Sequence, residues 1–273
     1  MIITRKKHQG NVCMHKWLIL FVVITMPASL LFSQTNTYAQ FWNEIGISRS
    51  IFKKSGLEFN FGQVWSGNSE NKNMLADNSQ VYFRGWFHYY HSPRWKFSGF
   101  LAYYSNKDVP ELKQIKAPEI RSAVQTAYFF KKIPYTLNAR VRLENRNIKN
   151  DNDKYETSFR LRMQMRCLYP LNAKIIRRGT VYAMGSDELM FKTGGSVSGS
   201  QFFDRNRLTI GGGYGITDDI QLEITYVNDY LPRSSVNELY NALQMNIYFI
   251  NPFANIKKAF SHPHPVEPDT SGN

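Results

Sequence analysis

The sequence predicts an all-β chain: a closed antiparallel transmembrane β-barrel of about ten to twelve strands, twelve favoured, preceded by a signal peptide. Three observations predict it. The N-terminus carries the pattern of an export signal. The rest runs as two-faced segments of about ten residues. The connections between those segments alternate between short and long.

Export is read first. Arg5, Lys6, Lys7 and Lys16 make a basic start, Trp17 to Met26 is apolar, and Ser33 to Ala39 is polar and ends in a small residue. That order is the signature of a cleaved secretory signal. The stretch Trp17 to Phe32 holds Thr25, Pro27 and Ser29. It falls short of the roughly 20 apolar residues a spanning helix needs. Cleavage after Ala39 is favoured, with Ser33 as second choice. The expected organisation is therefore residues 1–39 as signal peptide, 40–250 as outer-membrane barrel and 251–273 as a flexible polar tail.

Eleven strand segments follow in order: Phe41 to Arg49, Leu57 to Trp65, Gln80 to Tyr90, Trp95 to Tyr104, Glu119 to Phe130, Tyr135 to Arg146, Tyr155 to Arg166, Thr180 to Phe191, Arg205 to Ile216, Ile220 to Asn228 and Leu239 to Ile250. The sixth is the clearest. Leu137, Ala139, Val141 and Leu143 point one way, and Asn138, Arg140, Arg142, Glu144 and Arg146 the other, because strand side chains alternate with period two. Short connections fall at Lys53–Gly56, His91–Arg94, Lys131–Pro134 and Thr217–Asp219, and long polar ones at Ser66–Ser79, Ser105–Ala117, Asn147–Lys154, Lys192–Phe203 and Asp229–Glu238. Bacterial single-chain barrels have even strand numbers, so a twelfth strand is expected although eleven segments are visible.

Composition narrows the function. Without residues 1–39 the chain keeps 30 basic groups (34 less Arg5, Lys6, Lys7 and Lys16) against 21 acidic ones, a net charge of +9. Such an excess suits nucleic acid, but export excludes that partner. It leaves anionic lipid headgroups, including lipopolysaccharide, or an arginine-lined lumen, with the barrel-assembly machinery engaged during biogenesis. Cys167 is the one cysteine beyond the signal, so no intramolecular disulfide is available. The aromatic residues Trp65, Trp86, Tyr89, Tyr90, Trp95 and Tyr128 gather near segment ends, where membrane barrels place interfacial girdles.

The candidate site is a lumenal charge network of Glu119, Arg121, Arg140, Arg142, Glu144, Arg146, Arg160, Arg162, Arg166, Arg205 and Arg207. In a narrow lumen these side chains meet across neighbouring strands and largely fill it, because buried charges need partners. Arginine also suits anionic ligands through bidentate hydrogen bonding. The run Ile210 to Ile216 (IGGGYGI) is not a phosphate loop, since no Lys-Ser/Thr follows it. Its Gly211, Gly213 and Gly215 share one face of a strand and leave room for the network or for bending. No catalytic residue, metal site or cofactor is assigned. Three functions stay open: a barrel serving envelope structure or the passage or binding of small anionic solutes, a lipid-modifying hydrolase using a histidine such as His88, and a soluble periplasmic β-barrel holding a lipid or an acidic ligand.

From Trp42 to Phe249 the chain resembles DUF2490, a family of exported proteins common in Bacteroidetes. The resemblance rests on Phe41-Trp-Asn-Glu44, Arg140-Val-Arg-Leu-Glu144, Phe159-Arg-Leu-Arg162, Ser186-Asp-Glu-Leu189 and Phe203-Asp-Arg-Asn-Arg207 leading into Gly211-Gly-Gly-Tyr214. It implies an outer-membrane barrel of Gram-negative bacteria, with no defined activity.

Overall fold

The computed structural model describes residues 35–67, 73–107, 116–131, 135–150, 152–195, 200–233 and 236–252. The expected signal peptide up to Gln34, and the tail from residue 253, lie outside the described residues. The chain divides between Gln34 and Thr35 into two units, and the second carries the fold.

Eleven strands form it: β1 (Thr35–Phe52), β2 (Ser55–Ser66), β3 (Asp77–Tyr90), β4 (Trp95–Asn106), β5 (Glu119–Lys131), β6 (Thr136–Lys149), β7 (Tyr155–Pro170), β8 (Val181–Lys192), β9 (Phe203–Gly215), β10 (Ile220–Leu231) and β11 (Asn237–Ile250). Each pairs with its sequence neighbours, and β11 meets β1 to close the barrel. The expected twelfth strand is absent among the described residues. Eleven up-and-down strands leave the first and last pointing the same way, so closure has to be parallel. The register runs from Thr35↔Asn237 to Ser48↔Ile250, a full-length seam that leaves no free edge. Even parity presumes that both chain ends emerge on one side, and here they emerge on opposite sides. β1 also begins ahead of Gln40, with Thr35 to Ala39 pairing with Asn237 to Asn241. Cleavage after Ala39 would remove those five paired residues, whereas cleavage at Ser33 spares them.

Alternation along the strands inverts the usual burial rule. Facing outward are Leu101 and Val124, 69% and 65% exposed, with Phe83, Ile210 and Ile224. Facing inward and buried are Glu119, Glu144, Glu188, Arg142 and Arg160. An aromatic cluster of Trp86, Phe100, Tyr82 and Tyr104 lines the inner wall of β3 and β4.

Inward glycines shape that wall. Glu44, Gly62 and Tyr82 occupy one cross-strand row on β1, β2 and β3. A Cβ on Gly62 would lie 2.2 Å from the Tyr82 ring, so only glycine lets Tyr82 lie flat and donate its hydroxyl hydrogen bond to Glu44 Oε2 at 2.5 Å. The row repeats at Glu223, Gly213 and Tyr182 on β10, β9 and β8. There too a Cβ would meet the ring at 2.2 Å, and Tyr182 donates to Glu223 Oε1 at 3.0 Å. Gly213 thus supplies the room expected of the glycine run.

Candidate functional site: a lumenal ion network

The inward faces of β5 to β10 bring the predicted charges together and add carboxylates that the residue pattern did not single out. Glu119, two strand positions ahead of Arg121, is clamped by two forks. Arg121 donates to it from Nε and Nη2 at 2.5 and 2.8 Å, and Arg146 does so at 2.5 and 2.9 Å. Glu144, 1% exposed, accepts from Arg142 at 3.2 Å, from Arg162 at 2.8 Å and from Arg160 at 2.9 and 2.7 Å. These bidentate, charge-assisted contacts are the strong kind.

The separate clusters join into one relay of alternating sign. Arg207 pairs with Asp229 at 2.8 Å, and Asp229 with Arg205 at 2.9 Å. Arg205 pairs with Asp204 at 3.2 Å, and Asp204 with Arg160 at 3.3 Å. From Arg160 the relay passes through Glu144, Arg162 and Glu188 to Arg140, the last pair 2.5 Å apart. Seven of the eleven predicted residues stand in this relay or directly on it, counting Arg142 through Glu144. Arg121 and Arg146 form their own group on Glu119. Arg166 stands apart: it reaches across to Glu223 on β10 at 3.0 Å. Guanidinium faces also lie over aromatic rings, Arg121 over Tyr104 at 3.6 Å and Arg142 over Trp86 at 4.9 Å, a further stabilising cation–π contact.

Residues that sequence reasoning did not assign include Glu44, Glu58, Glu188, Asp204, Glu223 and Asp229, and the cations Arg84, Lys96 and Lys192. Period-two counting along β8 and β10 would have found Glu188, Glu223 and Asp229. Asp204 was beyond it. The β8–β9 register slips so that Met190 faces Arg205 while Phe191 faces Phe203. Asp204 is the extra residue of a bulge, which re-aims a side chain, and it joins the network beside its neighbour Arg205.

The expected filling of the lumen is corrected. The charges stand along the wall of a polar cavity of about 1040 Å³. Among the described residues thirteen Lys and Arg line it against eight Asp and Glu. On β3, His88 faces inward between Ser98, whose Oγ lies 2.8 Å from Nδ1, and Glu58, whose Oε2 lies 3.1 Å from Nε2. His88 and Glu58 line the cavity, while Ser98 does not.

A family model described as "Protein of unknown function (DUF2490)" matches residues 39–240. Among solved structures, a chain described as a bacterial polysaccharide outer membrane secretin is similar at 11% identity and a TM-score of 0.45. The match covers 72% of this chain and 64% of that one, so this chain spans under two thirds of its length. No curated protein matches.

Glu144→Gln tests the network. Removing one charge leaves Arg142 without its carboxylate and takes one of two from Arg160 and Arg162, and breaking a buried pair costs about 3–5 kcal/mol. The variant is expected to lose its heat-resistant folded band at a markedly lower temperature than wild type. Glu238→Gln, nearer the long connections, is expected to stay close to wild type.

Proposed function

The chain belongs to the DUF2490 family, and from that premise we propose that it is an outer-membrane barrel whose cationic lumen binds and passes small anionic solutes. The carrying observation is the excess, among the described residues, of thirteen cations over eight carboxylates along the cavity wall. Lumen charge sets selectivity in membrane barrels. The exterior supports the membrane. Its apolar faces form the kind of exposed surface that water-soluble proteins avoid at this extent. At the end carrying the short connections, Trp95, Phe97, Tyr128 and Phe130 contact one another as rings. The exposed cations Lys53, Lys54 and Arg94 sit in those connections, suited to anionic headgroups of phospholipid or lipopolysaccharide. A soluble cup for a lipid is disfavoured because acyl chains have no apolar cavity to enter. Export behind the N-terminal signal and insertion by the barrel-assembly machinery belong to the same reading.

The Ser98, His88 and Glu58 trio is assigned a structural task in this reading. Its spacings match a nucleophile, base and orienting acid. The serine, however, is buried, which hinders the approach of a substrate. A serine-directed fluorophosphonate should leave Ser98 unlabelled. Labelling that disappears in His88→Ala would favour a hydrolase.

Refolded protein in a planar bilayer, under a potassium chloride gradient, is expected to show a reversal potential displaced toward that of chloride. A flat trace at every voltage would remove passage. The odd strand count adds a topological expectation. An epitope placed just ahead of Thr35 and another after Asn251 should lie on opposite sides of the membrane, so antibody on intact cells reaches one of them. Labelling of both on the same side would require a further strand.

A further inference from the structure

One lumenal cation stands outside the ion-pair network. Of the thirteen Lys and Arg side chains that line the cavity among the described residues, all but Lys96 have a carboxylate within ion-pairing distance. Lys96 is the second residue of β4, just beyond the His91–Arg94 connection. Its ammonium lies 5.9 Å from the Tyr90 ring centre. Lys96 shares a cross-strand row with Ala127 of β5, Arg140 of β6 and Gln164 of β7, and Arg166 stands two positions further along β7; the charged neighbours of Lys96 are Glu58, Arg140, Arg166 and Arg142. Glu58 is already engaged by His88 at 3.1 Å and by Asn60, which donates at 2.9 Å.

Two of the neighbouring arginines are partly unsatisfied. Arg140 donates from Nη2 to Glu188 at 2.5 Å, and Arg166 from Nη2 to Glu223 at 3.0 Å. The Nε of each is buried with no acceptor. A buried donor without an acceptor is costly, and an unpaired cation in a low-dielectric wall more so. A solute anion offsets the unpaired ammonium, and the partly exposed guanidiniums of Arg140 and Arg166 face the same cavity. Its class follows from the donors. An ammonium and two guanidiniums approach from three different strands, β4, β6 and β7, and a carboxylate has two oxygens for them to share. A phosphate group offers three acceptor oxygens and a charge near −2, a closer match to three separate cations.

We propose that Lys96, Arg140 and Arg166 form a binding site for the phosphate group of a small solute, in the half of the lumen nearer the short connections. The site rests on the reading of the lumen as a place where small anions bind, but it does not depend on conduction.

Protein refolded in detergent, its folding checked by heat-modifiable mobility, is titrated with inorganic phosphate by calorimetry at fixed ionic strength. Acetate serves as the carboxylate comparison. Wild type should bind phosphate more tightly than acetate. Lys96→Gln should weaken phosphate binding about tenfold or more, the loss of one charge-assisted hydrogen bond. Lys154→Gln, in the β6–β7 connection, should bind as wild type does. Absence of phosphate binding in wild type, or equal binding by folded Lys96→Gln, would overturn the site. So would binding of a short-chain phosphatidic acid without binding of inorganic phosphate, which would point to a lipid headgroup. A protein that binds phosphate through Lys96 yet gives a flat bilayer trace keeps the site and loses only passage. One that conducts but binds no phosphate keeps passage and loses the site.

Discussion

A charge placed inside a barrel has water on few sides, and its desolvation must be offset by a partner of opposite sign. Much of the interior of this protein follows from that constraint. Arg207, Asp229, Arg205, Asp204, Arg160, Glu144, Arg162, Glu188 and Arg140 alternate in sign along the inner wall from β10 to β6. Most carboxylates serve two or more guanidiniums, and the planar forks of arginine make that sharing possible. Lysine in these positions would supply charge without the paired geometry. The cations outnumber the carboxylates, so the wall is cohesive and still electropositive toward the cavity.

Closure is the second condition on which the network depends. Lumenal ion pairs cross strands that are not neighbours: Arg160 on β7 reaches Asp204 on β9, and Arg166 on β7 reaches Glu223 on β10. Such pairs exist only when the sheet curves round on itself with a definite stagger. The parallel seam of β1 with β11 completes that curvature without a twelfth strand. Its ladder is slanted and slightly weaker per residue than an antiparallel one, and its length compensates.

The glycine rows connect the backbone to the charges. Gly62 and Gly213 remove a Cβ where a tyrosine from the next strand must lie flat, and that tyrosine carries a hydroxyl to a glutamate one strand further on. The Gly215 end of the same run serves a different need. A Cβ there would meet the Arg177 carbonyl oxygen at 2.1 Å, in the connection that packs against it. A glycine run that resembled a nucleotide loop in composition is thus a set of close approaches within a sheet.

What the sequence determined by itself was local. Period-two alternation placed all eleven strands and assigned Arg140, Arg142, Glu144, Arg160 and Arg162 to the inner face, because the side a residue takes depends only on its position along its own strand. Resemblance to the DUF2490 pattern was legible for the same reason, being written in contiguous blocks. The tertiary structure decided what depends on strands meeting. Parity of the count was settled by how β1 meets β11, and Glu188 and Asp229 found their arginines through cross-strand register. Asp204 joined the network through a bulge that no periodic count anticipates. Lys96 became distinct only when every other lumenal cation among the described residues had found a carboxylate, since an unpaired charge is defined by the positions of all its neighbours and not by its own place in the chain.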